Sequence, residues 1–128
     1  MRLRVALALL AATALHACGS TSDPTDLTPV VEPITIDSVT VRVVQAPPVQ
    51  VFAHVKGIVG DGCSTLLPLE QTREANVIQI AILRQRPRQA ICTQIARLFD
   101  EEIPLAGSFP AGSYTLRVNE TIVQFQVN

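Results

Sequence analysis

Histidine is nearly missing from this chain of 128 residues. There are two, and His16 lies in an N-terminal apolar stretch, so His54 alone could serve histidine-dependent chemistry in the rest of the chain. A Ser-His-Asp or Cys-His arrangement would have to use His54 with Ser64 or Cys63 as nucleophile. Gly60-Asp61-Gly62-Cys63-Ser64 is not a nucleophile elbow, and His54 sits among Gln50, Phe52 and Lys56 on the outer parity of its strand, where a histidine is an ordinary surface residue. No His or Cys pair has zinc spacing, and neither a glycine-rich phosphate loop nor an EF-hand pattern occurs. No catalytic residue, metal or cofactor is therefore expected. Cationic excess is lacking too: the chain carries ten Lys and Arg against eleven Asp and Glu, which argues against a nucleic-acid partner.

Long apolar runs are also lacking. The stretch Val5 to Leu15 follows Arg2 and Arg4 and is too short to span a bilayer, which takes about 20 residues. A basic start followed by a short apolar run is the layout of a secretion signal. Its end, Leu15-His16-Ala17-Cys18-Gly19, resembles the lipobox of bacterial prolipoproteins, which reads Leu, two small residues, then Cys; His16 departs from that pattern at its middle position. The resemblance implies a signal peptide over 1–17, cleavage before Cys18, and lipid on the Cys18 thiol and amine. It further implies a cell-envelope, lipid-anchored protein. With Gly19 rather than Asp after the cysteine, sorting in a Gram-negative cell would be to the outer membrane. Removing the leader leaves eight basic residues against eleven acids.

Gly19 to Pro33 reads GSTSDPTDLTPVVEP, with little to bury, so 18–33 is expected to be a lipidated N-terminus and tether. The domain is expected over 34–128, enough chain for one core and too little for two.

From Ile34 onward the chain is written in period two. Val39, Val41 and Val43, then Val49, Val51, Ala53 and Val55, then Ile78, Ile80 and Ile82, then Tyr114, Leu116 and Val118, then Val123, Phe125 and Val127 each line one face of a strand. Ile34 and Ile36 have the opposite parity to Val39 and Val41, which predicts a bulge near Asp37-Ser38. A two-residue turn at Asn119-Glu120 would set Val118 opposite Thr121, Leu116 opposite Val123 and Tyr114 opposite Phe125. Glu120 is a poor residue for positive φ, so a longer turn stays open. Residues 90–100 fit either element: Ile91, Ile95, Leu98 and Phe99 share a helical face, whereas Ile91, Ile95 and Phe99 share a strand face. The all-β surroundings favour a strand ending near Leu105.

Cys63 follows the Gly60-Asp61-Gly62 turn and Cys92 opens that ambiguous segment. Export favours a disulfide between them, and an antiparallel pairing of their strands would bring them together; an acylated Cys18 could not take part. About seven short strands and a penultimate Gly-Ser-Tyr-Thr-Leu-Arg-Val-Asn strand resemble immunoglobulin-like and fibronectin type III-like domains of secreted bacterial proteins. The resemblance implies an all-β fold, a single antiparallel β-sandwich. It names no function, and with no Trp and no inter-sheet Cys…Trp…Cys spacing a true antibody-type domain is not expected.

Two charge clusters remain. Arg84 and Arg86 point the same way on a continued strand and Arg88 follows Pro87, which makes either an anionic-partner patch or a solvated strand end. Asp100, Glu101 and Glu102 are adjacent on a strand and cannot converge on one cation, so they read as solvated. The functional expectation is a non-catalytic binding or structural module that meets the membrane through its lipid and holds an envelope protein or glycan. The alternative is an inhibitor or accessory subunit of a secreted enzyme, with Leu66 to Asn76 as its docking loop.

Overall fold

Val and Ile at alternate positions stiffen the backbone toward extended geometry and give each strand one apolar face, so the regular elements among the described residues are all strands. In the computed structural model, which describes residues 28–128, they are β1 (Pro29–Pro33), β2 (Thr35–Val44), β3 (Gln50–Gly60), β4 (Thr65–Leu66), β5 (Glu70–Glu74), β6 (Val77–Ala81), β7 (Leu83–Pro87), β8 (Arg97–Pro104), β9 (Gly112–Val118) and β10 (Thr121–Val127). The expected signal peptide, Cys18 and the start of the tether lie outside the described residues. Among those described, no helix is long and apolar enough to cross a membrane.

The sheets run β1-β7-β4, β10-β9-β6-β5 and β2-β3-β8. Two single-residue breaks join them. Ile34 separates β1 from β2, Ile82 separates β6 from β7, both are buried, and the Ile34 amide donates to the Ile82 carbonyl at 3.0 Å. Across Ile82 the first two sheets continue into each other, and across Ile34 that layer passes to the sheet of β2, β3 and β8. Between the layers lie Val51, Val55 and Val59 of β3, Phe99 and Ile103 of β8, Ile78 and Ile80 of β6, and Tyr114, Leu116 and Val118 of β9. The opposite face of the β2-β3-β8 sheet is polar, as expected where one face of a sheet meets water.

The register follows the apolar pattern closely. β2 pairs β3 with a shift between Ile36 and Ser38, where the parity changes. In the β9–β10 hairpin Val118 faces Thr121, Leu116 faces Val123 and Tyr114 faces Phe125. Only Asn119 of its turn takes positive φ (50°), which Asn tolerates, so Glu120 is spared.

Five expectations need correction. Among the described residues ten strands form rather than about seven, because three long runs break into separately paired pieces at Ile34, Ile82 and Leu67 to Leu69. The pairing is not wholly antiparallel, since β6 and β9 run parallel. The tether does not extend to Pro33: Pro29–Pro33 forms β1 along β7, with Glu32 supplying an ion pair to Arg84 at 2.9 Å that composition alone does not reveal. Residues 90–96 are neither helix nor strand, and β8 begins only at Arg97. Leu66 to Asn76 is mostly β4 and β5 rather than a free loop.

Candidate functional site

At one end of the sandwich β3 finishes in the turn Gly60-Asp61-Gly62-Cys63. Here the Cys63 and Cys92 sulfurs are bonded, with Cα atoms 5.5 Å apart. The bond joins the end of β3 to the irregular segment before β8, as the antiparallel β3–β8 pairing requires. A carboxylate of Asp61 lies beside both sulfurs. Thiolates are what bind metals, and sulfurs bonded to each other are not thiolates, so this group is no metal centre.

The three arginines of the predicted patch sit on and just after β7. Arg84 donates to the Val59 carbonyl at 2.9 Å, to Ser64 Oγ at 3.3 Å and to Glu32 at 2.9 Å. Arg86 pairs with Asp61 at 3.2 Å. An incoming anion would have to displace Glu32 and Asp61. Arg88 lies one residue beyond β7 and is exposed. Burial alone would raise the Asp61 carboxyl. Hydrogen bonds from Ser64 Oγ and the Cys63 amide, with Arg86 and Arg84 nearby, hold it below the usual aspartate value of 3.8.

His54 projects from the polar face of β3 and hydrogen-bonds Asp100 of β8, which also pairs with Lys56 at 3.7 Å. The His54 hydrogen bond is the main cause that lowers the Asp100 carboxyl. Glu102 takes the Arg42 guanidinium at 2.7 Å, and Arg42 lies over the Phe52 ring. These are cross-strand pairs of a solvated face, so Asp100 and Glu102 are spent on neighbours. Neither Ser64 nor Cys63 is hydrogen-bonded to His54: Ser64 Oγ donates to Asp61 at 3.0 Å, and Cys63 is in the disulfide.

At the other end a cleft of about 690 Å³ opens between the β2–β3 turn and the β8–β9 connection. Its lining includes Pro48, Gln50, Phe52, Leu105, Phe109 and Pro110, and it contains no titratable side chain. The wall is clasped from β5. Arg73 donates to the Ser108 carbonyl at 2.8 Å and stacks over Phe109 and Tyr114, while Gln71 donates to the Pro104 carbonyl at 3.2 Å and accepts from the Ala106 amide at 2.6 Å. Sequence reasoning missed this cleft. The clue available was the cluster Pro47-Pro48 and Phe109-Pro110, apolar residues placed in turns where they cannot contribute to strand faces.

A β-sandwich pinned by one disulfide, with an apolar cleft at one end, is the class of protein that fold and surface define. Residues 53–127, from within β3 to the end of β10, match the ORF11 beta-sandwich domain, and the chain belongs to that family. It is similar to proteins of Herpetosiphon aurantiacus. One is the uncharacterized 10.2 kDa protein in the HgiCIIM 5' region, 33% identical over 85 residues that make up 66% of this chain and 90% of that protein. Another is the uncharacterized 10.2 kDa protein in the HgiBIM 5' region, 34% identical over 73 residues, or 57% of this chain and 89% of that protein. No solved structure matches.

Proposed function

We propose that this chain is a non-catalytic, envelope-anchored lipoprotein, held by lipid on Cys18, whose immunoglobulin-like sandwich is a binding or structural module for an envelope protein or glycan. The observation that carries the reading is the cleft. Its lining offers prolines, aromatic rings and amide groups but no side chain able to move a proton, which suits holding a ligand rather than transforming it. His54 does not line it, and the groups that meet His54 are strand neighbours on an exposed face. The lipobox-like Leu15-His16-Ala17-Cys18 supports the anchor, and Gly19 rather than Asp after the cysteine supports the outer-membrane address in a Gram-negative cell.

The test is fractionation of the native chain and its Cys18→Ala variant, with mass spectrometry of the N-terminus, followed by cross-linking in the native envelope from a photoreactive residue at Gln50. The native chain is expected in membranes with acylated Cys18, the variant in the soluble fraction, and one recurrent adduct from position 50. Membrane retention of an unacylated variant overturns the anchor. Turnover of an envelope substrate that His54→Ala lowers by more than about a hundredfold, the scale of a lost general base, overturns the non-catalytic reading.

A further inference from the structure

Ile91 is fully exposed and Leu98 and Ile95 are 77% and 69% exposed, and no other large apolar side chain described is as exposed. All fall within one short stretch of chain. It is not a loose one: Cys92 is bonded to Cys63, the Gly62 amide donates to the Thr93 carbonyl at 3.0 Å, and Arg97 donates to the Ser64 carbonyl. A segment fastened at three points cannot fold its isoleucines back onto the core. Fixed apolar surface of this kind marks a place that something apolar covers.

The path of the chain says what. Pro29 pairs with Pro87 at the outer end of the β1–β7 ladder, so the polypeptide leading back to Cys18 departs beside Arg88 and the Ile91 segment. Gly60 pairs with Arg97 at that same end, Ile95 shares a hollow with Gly60 and Asp61, and Arg86 of β7 reaches Asp61. Ten residue steps lead from Cys18 to Thr28. At no more than about 3.6 Å each, these hold that end within roughly 40 Å of the anchor point. The charge agrees. Among the described residues at this end, the acids Glu32 and Asp61 are paired with Arg84 and Arg86, and Arg97 adds a further cation. Aliphatic side chains ringed by arginine suit the interfacial layer of an anionic bilayer.

We propose that Ile91, Ile95 and Leu98, with Arg88 and Arg97, form a membrane-facing tip that dips into the interfacial layer of the bilayer holding Cys18. It sets the domain upright, with the cleft at its far end turned outward. The inference rests on the lipid-anchored reading above.

The chain has no tryptophan, so a single introduced one reports on its own surroundings. The acylated full-length chain carrying Ile95→Trp is reconstituted in phosphatidylethanolamine and phosphatidylglycerol vesicles, with and without brominated acyl chains. Gln45→Trp, in the turn at the opposite end, is the control. For Ile95→Trp a blue-shifted emission is expected, quenched by about half by brominated lipid, as for a ring sunk roughly 5–10 Å to the acyl boundary. Gln45→Trp should keep the emission of an exposed indole and escape quenching. Vesicle-bound, acylated protein whose Ile95→Trp emission matches the control overturns the tip and leaves the anchor standing. A blue shift that grows with protein density but ignores brominated lipid overturns it in favour of a second copy of the chain. Protein that is neither acylated nor vesicle-bound overturns both readings.

Discussion

Asn119 acts as a piece of strand for Ile82. Its Oδ1 accepts from the Ile82 amide at 2.9 Å, and its Nδ2 donates to the Ile82 and Ile34 carbonyls, each at 3.1 Å. Ile82 and Ile34 are the breaks at which β6 becomes β7 and β1 becomes β2. One carboxamide thus satisfies the Ile82 amide and the Ile34 carbonyl and gives the Ile82 carbonyl a second donor beside the Ile34 amide, so it fastens the junction of the sheets. Asn119→Ala should lower stability by about 2–4 kcal/mol, from the lost bonds and the unsatisfied groups left behind. Asn119→Asp should cost no less, since a carboxylate has no hydrogen to offer two carbonyls. Urea unfolding midpoints check both, and a loss below about 0.5 kcal/mol in either would show that the junction holds without the amide.

The Cys63–Cys92 bond closes a loop of sequence separation 29. Replacing both residues with Ser should lower stability by about 2–5 kcal/mol, as losing a native bridge in a small exported domain does. The folded domain should also become sensitive to proteolysis within residues 90–96, the irregular segment that the bond fastens. Thiol labelling of the unreduced native protein should find neither cysteine free. Full labelling would remove the bond from the argument.

Asp61 gives the domain an acid limb. Its folded pKa lies below the ordinary 3.8 because Ser64, the Cys63 amide and two arginines favour its charged form more than burial disfavours it. A lowered folded pKa means stability fully present above the unfolded value and lost as pH falls through the folded one. Stability of the wild type should therefore decline from about pH 4 downward. Asp61→Asn should be the less stable protein at neutral pH and should show a shallower acid decline. Parallel acid limbs for the two proteins, read from unfolding at a series of pH values, would exclude Asp61 as a contributor.

Where the fold was legible, a single face decided the issue. The switch of apolar parity between Ile36 and Val39 marked the bulge, and the alternation of Tyr114 to Val118 against Val123 to Val127 set the hairpin register, because a slip of one residue would turn every side chain to water. Legibility ended where partners are distant or where apolar residues are not buried. Pro29–Pro33 looks like tether until Glu32 meets Arg84, 52 residues away. Ile91 and Ile95 fit a helix and a strand equally well because both templates assume burial, and a disulfide holds them outside the core instead. The cleft wall depends on Gln71 and Arg73 reaching the Pro104 to Ser108 backbone, contacts with no periodic signature.

Gly57 tests how closely β2 and β3 approach at the bulge. A Cβ on Gly57 would collide with the Thr35 carbonyl oxygen, a backbone atom that cannot rotate aside. Gly57 pairs with Ile36, immediately before the register shift, and with Phe99 on the other side, so neither strand can yield without disturbing the β3–β8 ladder. Gly57→Ala should cost at least about 1–3 kcal/mol, the range for overpacking a filled interior. Gly112→Ala, where an added Cβ meets nothing within 4 Å, serves as the comparison, with only the strain of its φ of 158° to bear. Equal unfolding midpoints for the two variants would mean that the bulge relaxes freely around the added methyl group. A selective loss in Gly57→Ala would place a backbone contact with no room for a methyl group at the point where the apolar parity changes.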